Sequence, residues 1–199
     1  MCRLFLVYSQ VKDEAKRVVS ELVANSIVAG NDDGYYASIK NAEGVKTIRT
    51  MSFEQYVAFL DAEQYNMAVC HLRAASSGVV DQRNVHGWKK KGWRFAHNGF
   101  VLSYSSYYSY YRYCFRREGR VKLEDLMCDS YKFFKYLASE VDLRIVDRAV
   151  LEQIRDLAKE SRFSGTAFLV RRDLSELIII SSGGFYVAKY SGRFAPVYV

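Results

Sequence analysis

The stretch Arg94-Phe95-Ala96-His97-Asn98-Gly99-Phe100-Val101-Leu102-Ser103-Tyr104 sets two apolar, aromatic runs on either side of an Asn-Gly pair. Asn-Gly readily supplies the two positive φ angles of a tight hairpin turn. Arg94–Ala96 and Phe100–Tyr104 therefore read as strands meeting at Asn98-Gly99. Upstream, Met67–Leu72 reads as a buried strand, and Ser76–Lys91 as a long loop. Further back, Arg3–Tyr8 alternates as a strand does, and apolar residues from Val11 to Ile27 recur at helical spacing until Gly30 and Asn31-Asp32-Asp33-Gly34 end them. Short strands are expected around Tyr35–Ile39 and Val45–Arg49, and a short helix around Phe53–Leu60. Downstream, helices are expected from about Asp129 to Ser139, with Asp129 or Ser130 as its cap, and along Val146–Ala158. Strands follow at Thr166–Arg171, Leu177–Ser181 and Phe185–Tyr190. Helices lie between sets of hairpin-like strands rather than in strict βαβ alternation, so the order predicts an α+β fold with two mainly antiparallel sheets covered by helix layers.

At 199 residues, half apolar and about a quarter charged, the composition is that of one globular domain spanning 1–199. The start, MCRLFLVYSQ, is too short an apolar stretch for a signal peptide, and no segment approaches the roughly 18 apolar residues of a membrane span. Cys2, Cys70, Cys114 and Cys128 form no C-x-x-C pair, so neither a zinc site nor a redox pair is indicated, and no metal or cofactor is expected. A reducing cytoplasm is the expected compartment. The 29 basic against 22 acidic residues give a charge of +7. Basic and aromatic side chains cluster at Lys89–Arg94 and again between Arg112 and Lys122. A solvated basic surface accounts for them; nucleic acid is the other reading, without a recognition motif to support it.

Cys2 follows Met1 directly. Alone, a Cys beside a strand is most simply a small buried hydrophobe. Removal of Met1, however, places a thiol and a free α-amine on one residue. An α-amine with a pKa of about 7.7–8.0 is a fitting general base for a nucleophilic thiol.

Four further segments bear on that reading. Cys70-His-Leu-Arg-Ala-Ala-Ser-Ser-Gly through Asn84-Val-His86-Gly87 resembles the H-x-R-x-A-T…G…N-x-H-P segment of class II glutamine amidotransferases, with Arg73 and Asn84 at the family's spacing. Phe95–Tyr104 resembles the family's H-N-G segment. Cys128-Asp129-Ser130 resembles its S-D-T/S element, and Ser164–Gly184 its late strand pair. Asn31–Tyr36 is a partial echo of its D-G-x-G turn. Gly87 stands where the family usually has Pro, Tyr36 where that turn usually ends in Gly, and Ala75-Ser76 where Ala-Thr is commoner.

The resemblance implies a four-layer αββα sandwich and a Cys2 nucleophile, releasing ammonia from glutamine through a γ-glutamyl thioester that water converts to glutamate. It implies an oxyanion hole made by the Asn98 side chain and the Gly99 N–H, carboxylate recognition by Arg73, ammonium recognition by Asp129, and Ser76 and His97 in the same binding set. A planar guanidinium fork suits a carboxylate, and a carboxylate suits an ammonium. The family uses no catalytic histidine, so His71, His86 and His97 are expected to order the surrounding loop and strands. Ala74–Asp81, with Ser76, Ser77 and Gly78, is expected to be a lid over bound glutamine. Family members normally pass ammonia to a synthetase domain, for which 199 residues leave no room. The resemblance thus implies a separate acceptor subunit, docking on Tyr104–Lys122, or a stand-alone amidohydrolase. Two alternatives stand beside it: hydrolysis of another γ-glutamyl amide, and an inactive descendant that binds a partner through its basic surface.

Overall fold

A computed structural model describes residues 2–105, 126–183, 186–190 and 194–198. Six strands and two helices fill the first hundred residues: β1 (Arg3–Tyr8), α1 (Lys12–Val28), β2 (Tyr35–Asn41), β3 (Gly44–Thr50), α2 (Phe53–Ala62), β4 (Met67–Leu72), β5 (Trp88–Lys90) and β6 (Trp93–Val101). A four-residue helix, α3 (Leu102–Ser105), ends that part. Then come α4 (Asp129–Glu140), α5 (Arg148–Glu160), β7 (Phe163–Arg171), β8 (Leu177–Ser181), β9 (Tyr186–Tyr190) and β10 (Phe194–Tyr198). One four-stranded sheet has the order β1-β4-β2-β3, a second has β5-β6-β7-β8, and β9 pairs with β10. Every pairing is antiparallel.

Strand alternation explains the layering, because successive side chains leave opposite faces. On β4, Ala68, Cys70 and Leu72 face the α1 and α2 residues Ala15, Val19, Val23, Tyr56 and Leu60. Val69 and Met67 face the other way, joining Leu4 and Leu6 of β1, Tyr36 of β2, Ala96 of β6 and Phe168 and Val170 of β7. On the second sheet Phe95, Ala167 and Leu169 turn outward against Phe133, Phe134, Leu137 and Ile154 of α4 and α5. Three apolar layers thus separate four layers of structure, α, β, β and α. With both sheet faces buried, the central strands carry near-continuous apolar runs. Each fully buried large aliphatic side chain contributes about 1.5–3 kcal/mol through burial.

Local signals fix the ends of the elements. Ser52 caps α2 by accepting from Gln55 N at 3.2 Å, and Asp147 caps α5 by accepting from Val150 N at 2.9 Å. At α4 the cap position falls to Cys128, with Asp129 one residue inside the helix, because the Asp129 carboxylate is drawn to other partners described below. The main departure from expectation lies at Asn98-Gly99, which does not turn. Here β6 runs straight through and pairs with β7 from Trp93–Arg171 to Val101–Phe163. The tight turn falls earlier, at Lys91-Gly92, whose φ values of 50° and 82° are the positive pair that joins β5 to β6. Gly99 is glycine for a different reason: it faces Gly165 across the ladder, and a Cβ on it would stand 2.0 Å from the Ser164 carbonyl oxygen. Among the described residues no helix is long and apolar enough to cross a membrane.

Candidate active site

The two sheets bring the motif segments together at one end of the sandwich. Register in the first sheet pairs Arg3 with Leu72, so the next step outward sets Cys2 opposite Arg73. The contact is realised one residue further on: Cys2 Sγ donates to the Ala74 carbonyl at 3.3 Å, and the Ala74 N–H reaches the same sulfur at 3.4 Å. Continuing the pleat, Cys2 shares the inter-sheet face with Leu4 and Leu6, Arg73 with Val69, and Asn98, on the facing sheet, with Ala96. His71 ties the two sheets here, its Nε2 lying 3.1 Å from the His97 carbonyl oxygen.

Cys2 is half-buried, and burial pushes its thiol above the ordinary value of 9.0, with the Ala74 hydrogen bond and the nearby Arg73 charge pulling the other way. The thiol therefore stays protonated at neutral pH unless a base takes its proton. The histidines are poorly placed to do so, since all three are buried and already engaged. His71 Nε2 and His97 Nε2 each face a carbonyl oxygen, His97 and Ser164 respectively, so both must donate there. His86 Nδ1 accepts from His97 N at 3.1 Å, and His97 Nδ1 lies 2.9 Å from Ser130 Oγ. The His71 and His86 rings stack at 3.8 Å. His86, accepting at Nδ1, is a neutral imidazole, and burial lowers all three pKa values, that of His71 to about 3.

The trio makes the fold acid-sensitive. An unfolded histidine takes up a proton near pH 6.5, whereas the folded ones refuse it. The stabilisation is thus complete above about 6.5 and is lost as pH falls from there toward about 3, the depressed value at His71. Each suppressed imidazole adds up to about 1.4 kcal/mol per pH unit to the slope. Urea unfolding midpoints are expected to drop steeply between pH 6.5 and 4.5; a midpoint constant across that range contradicts neutral buried histidines.

Arg73 is only 2 % exposed, and its guanidinium holds the loop that follows β4. Nη2 donates to the Ser77 carbonyl at 2.7 Å and Nη1 to the Val79 carbonyl at 3.3 Å. Ser77 Oγ reaches Asp129 Oδ1 at 2.5 Å. Asp129 is also buried; its Oδ1 accepts from Ser130 N at 2.8 Å and its Oδ2 from Val101 N at 2.7 Å. The segment expected to be a lid is thus tied down at both charged residues. Asn84 ties it again, donating through Nδ2 to the Val79 and Leu126 carbonyls and accepting from Cys128 N at 2.8 Å. Asp33 anchors the near end, its Oδ2 accepting from Ala75 N at 2.7 Å while its own N–H meets the Arg73 carbonyl at 3.0 Å.

Gly99 sits between two occupied backbone donors. Gly165, its cross-strand partner, turns both its N–H and its carbonyl toward Ser182, so the Gly99–Gly165 pair exchanges no ladder bonds. The N–H groups of residues 97, 99 and 101 therefore point away from β7. That of His97 meets His86, that of Val101 meets Asp129, and that of Gly99 has no acceptor set against it among the described residues. Asn98 is half-buried, with Oδ1 enclosed and unpartnered.

Of the residues expected in the site, Cys2, Arg73, Asp129, His97, Asn98 and Gly99 fall into this connected region, while Ser76 is exposed. Its neighbour Ser77 makes the contact to Asp129. Sequence reading did not single out Ser77 or Asp33 for these roles; the signal for Asn84 was present in its spacing from Arg73. The basic run 112–122 lies outside the described residues. Among those described, no group of three or more His, Cys, Asp or Glu side chains could hold a metal ion.

Gly87 and Tyr36, the two departures from the motif, meet each other. A Cβ on Gly87 would stand 2.1 Å from Tyr36 Cδ2 and 2.4 Å from Cε2, and the Gly87 φ of 84° is closed to proline. The Tyr36 ring, 1 % exposed, fills the space over the Gly87 backbone and bonds Ser38 Oγ through its hydroxyl at 2.9 Å. The Tyr36 ring thus occupies the volume that any side chain at position 87 would need.

This geometry, the Cys2 thiol set against the Ala74 backbone next to a buried Arg–Ser–Asp bridge, is accompanied by a direct match. The family description for class-II glutamine amidotransferases matches residues 45–195. The chain belongs to that family. The match takes in Arg73, Asn98, Gly99 and Asp129 and begins after Cys2. Among solved structures, a glutamine aminotransferase class-II domain protein from Silicibacter pomeroyi is similar at 16 % identity and a TM-score of 0.46, covering 83 % of this chain and 80 % of that one. No curated protein matches significantly.

Proposed function

We propose that the chain is a glutaminase-type amidohydrolase whose nucleophile is Cys2 after removal of Met1. The observation that carries this reading is the position of Cys2 Sγ, 3.3 Å from the Ala74 carbonyl and one residue from buried Arg73, which Ser77 links to Asp129. Once Met1 is gone, the α-amine of Cys2 takes the thiol proton, and the thiolate attacks the side-chain amide carbon of glutamine. The negative charge that develops on the amide oxygen meets the free Gly99 N–H and, after an amide reorientation, the Asn98 Nδ2. Such donors contribute about 3 kcal/mol each to the transition state. The C–N bond then breaks, the α-ammonium returns its proton to the departing nitrogen, and ammonia leaves. Water attacks the γ-glutamyl thioester, glutamate departs and the thiol is restored. Arg73 pairs with the substrate α-carboxylate and Asp129 with its α-ammonium. Other γ-glutamyl amides with both groups free belong to the same substrate class. The ammonia passes to a separate acceptor subunit or to solvent.

The test is the intact mass of the purified protein together with glutamate release from glutamine. The reading predicts a mass lacking Met1 and steady glutamate formation. Met1 retained in folded protein, or no release from glutamine or any γ-glutamyl amide, contradicts it.

A further inference from the structure

Ser77 touches both charges of the binding pair at once. Its carbonyl oxygen accepts from Arg73 Nη2 at 2.7 Å, and its hydroxyl donates to Asp129 Oδ1 at 2.5 Å while lying 3.3 Å from the Asp129 N–H. We propose that Ser77 is a positioning residue that sets the spacing between Arg73 and Asp129, and thereby selects ligands carrying an α-carboxylate and an α-ammonium on the same carbon. The proposal rests on the functional reading above and adds the residue that determines head-group specificity.

Donor and acceptor arithmetic supports it. A guanidinium has five N–H donors. Two of those on Arg73 go to the Ser77 and Val79 carbonyls, which fixes the plane of the fork and leaves further N–H groups for a carboxylate. On Asp129, Oδ1 accepts from Ser77 Oγ and from Ser130 N, which occupies its two lone pairs. Among the described residues Oδ2 accepts from Val101 N alone, at 2.7 Å, and keeps a lone pair, which is where an ammonium is received. The Ser77 hydroxyl thus turns the carboxylate so that its free lone pair stands at a set distance from the guanidinium. A hydroxyl can do this because it accepts from one backbone donor while donating to the carboxylate.

The loop does not depend on that hydroxyl for its place. Val79 N donates to the Leu126 carbonyl at 3.3 Å, Asn84 bonds the Val79 and Leu126 carbonyls, and Asp33 holds Ala75. At Gly78 the φ is 70° and a Cβ would stand 2.8 Å from Cys128 N, so the backbone there packs directly on the start of α4. Removing the Ser77 hydroxyl therefore frees the carboxylate rather than the loop.

The experiment compares wild type, Ser77→Ala and Ser77→Thr. It measures kcat and KM for glutamine, the inhibition constant of 4-carbamoylbutanoate (glutamine without its α-amine), and the thermal midpoint. Ser77→Ala is expected to raise KM for glutamine by about 10-fold, the worth of one charge-assisted hydrogen bond, with kcat within about 3-fold of wild type. The inhibition constant of the des-amino compound should barely move, so the preference for the α-amine shrinks by the same factor of about 10. Ser77→Thr, which keeps a hydroxyl, should restore most of the preference. If Ser77→Ala weakens both compounds equally, or leaves KM unchanged, the hydroxyl does no selecting and the inference falls while the glutaminase reading stands. If wild type lacking Met1 releases no glutamate, the functional reading falls first and the inference with it.

Discussion

Cys2→Ala is expected to lower glutamate release from glutamine by on the order of 10⁴-fold, the scale of losing a covalent nucleophile whose partners cannot act without it. Folding should hardly change, because the sulfur meets the Ala74 backbone on a half-buried site and leaves no large cavity when removed. A stability cost below about 1 kcal/mol is expected from urea unfolding. The pairing of the two results is what identifies the nucleophile. A variant that retains more than a tenth of wild-type turnover assigns the chemistry elsewhere. A variant that fails to fold shows that the Cys2 contact is structural.

Gly87→Ala should be among the most damaging single methyl additions in the molecule. The new Cβ arrives 2.1 Å from the Tyr36 ring, which is enclosed between the two sheets, and the backbone φ of 84° is itself unfavourable to alanine. Overpacking of this kind costs about 1–3 kcal/mol, and the positive φ adds about 1 kcal/mol. In the Tyr36→Ala background the ring is gone, and the same methyl should cost only the backbone contribution. A double-mutant cycle read from urea midpoints should thus show coupling of about 1–3 kcal/mol between the two positions. Additive effects would mean that the exchange at 36 and 87 is coincidental.

Much of this arrangement was legible in the sequence, and the exceptions have identifiable causes. Helical spacing from Val11 to Ile27 and along Val146–Ala158 marked α1 and α5 to within two residues, because apolar periodicity reports which face is buried. The α+β class followed from the hairpin-like strand order. The failure at Asn98-Gly99 is instructive: the pair has the chemistry of a turn, but Gly99 is needed for close approach to Gly165 in the adjacent strand. Local preference cannot tell these two uses of glycine apart, since the deciding neighbour lies 66 positions away in β7. Lys91-Gly92, the actual turn, was hidden because lysine rarely adopts a positive φ. Motif order singles out Cys2, Arg73, Asn98, Gly99 and Asp129 as candidates, and the two sheets bring these five into one region. Ser76 stands at the motif's hydroxyl position, whereas the contact of Ser77 with Asp129 depends on how Arg73 and Asn84 bend the loop, which spacing does not report. Asp33 was invisible as a tether for the same reason; its partner Ala75 is reached only after β2, β3 and β4 have folded together.

The central claim is that the amino-terminal residue of the working protein is Cys2 and that it attacks a γ-carboxamide. The most direct measurement is peptide mass mapping after incubation with a diazoketone analogue of glutamine, which alkylates a thiolate poised at that position. The account predicts a single adduct on a peptide that begins at Cys2, blocked when excess glutamine is present. An adduct on Cys70 or Cys128, an adduct on a peptide that still carries Met1, or no adduct in protein that turns over glutamine contradicts it.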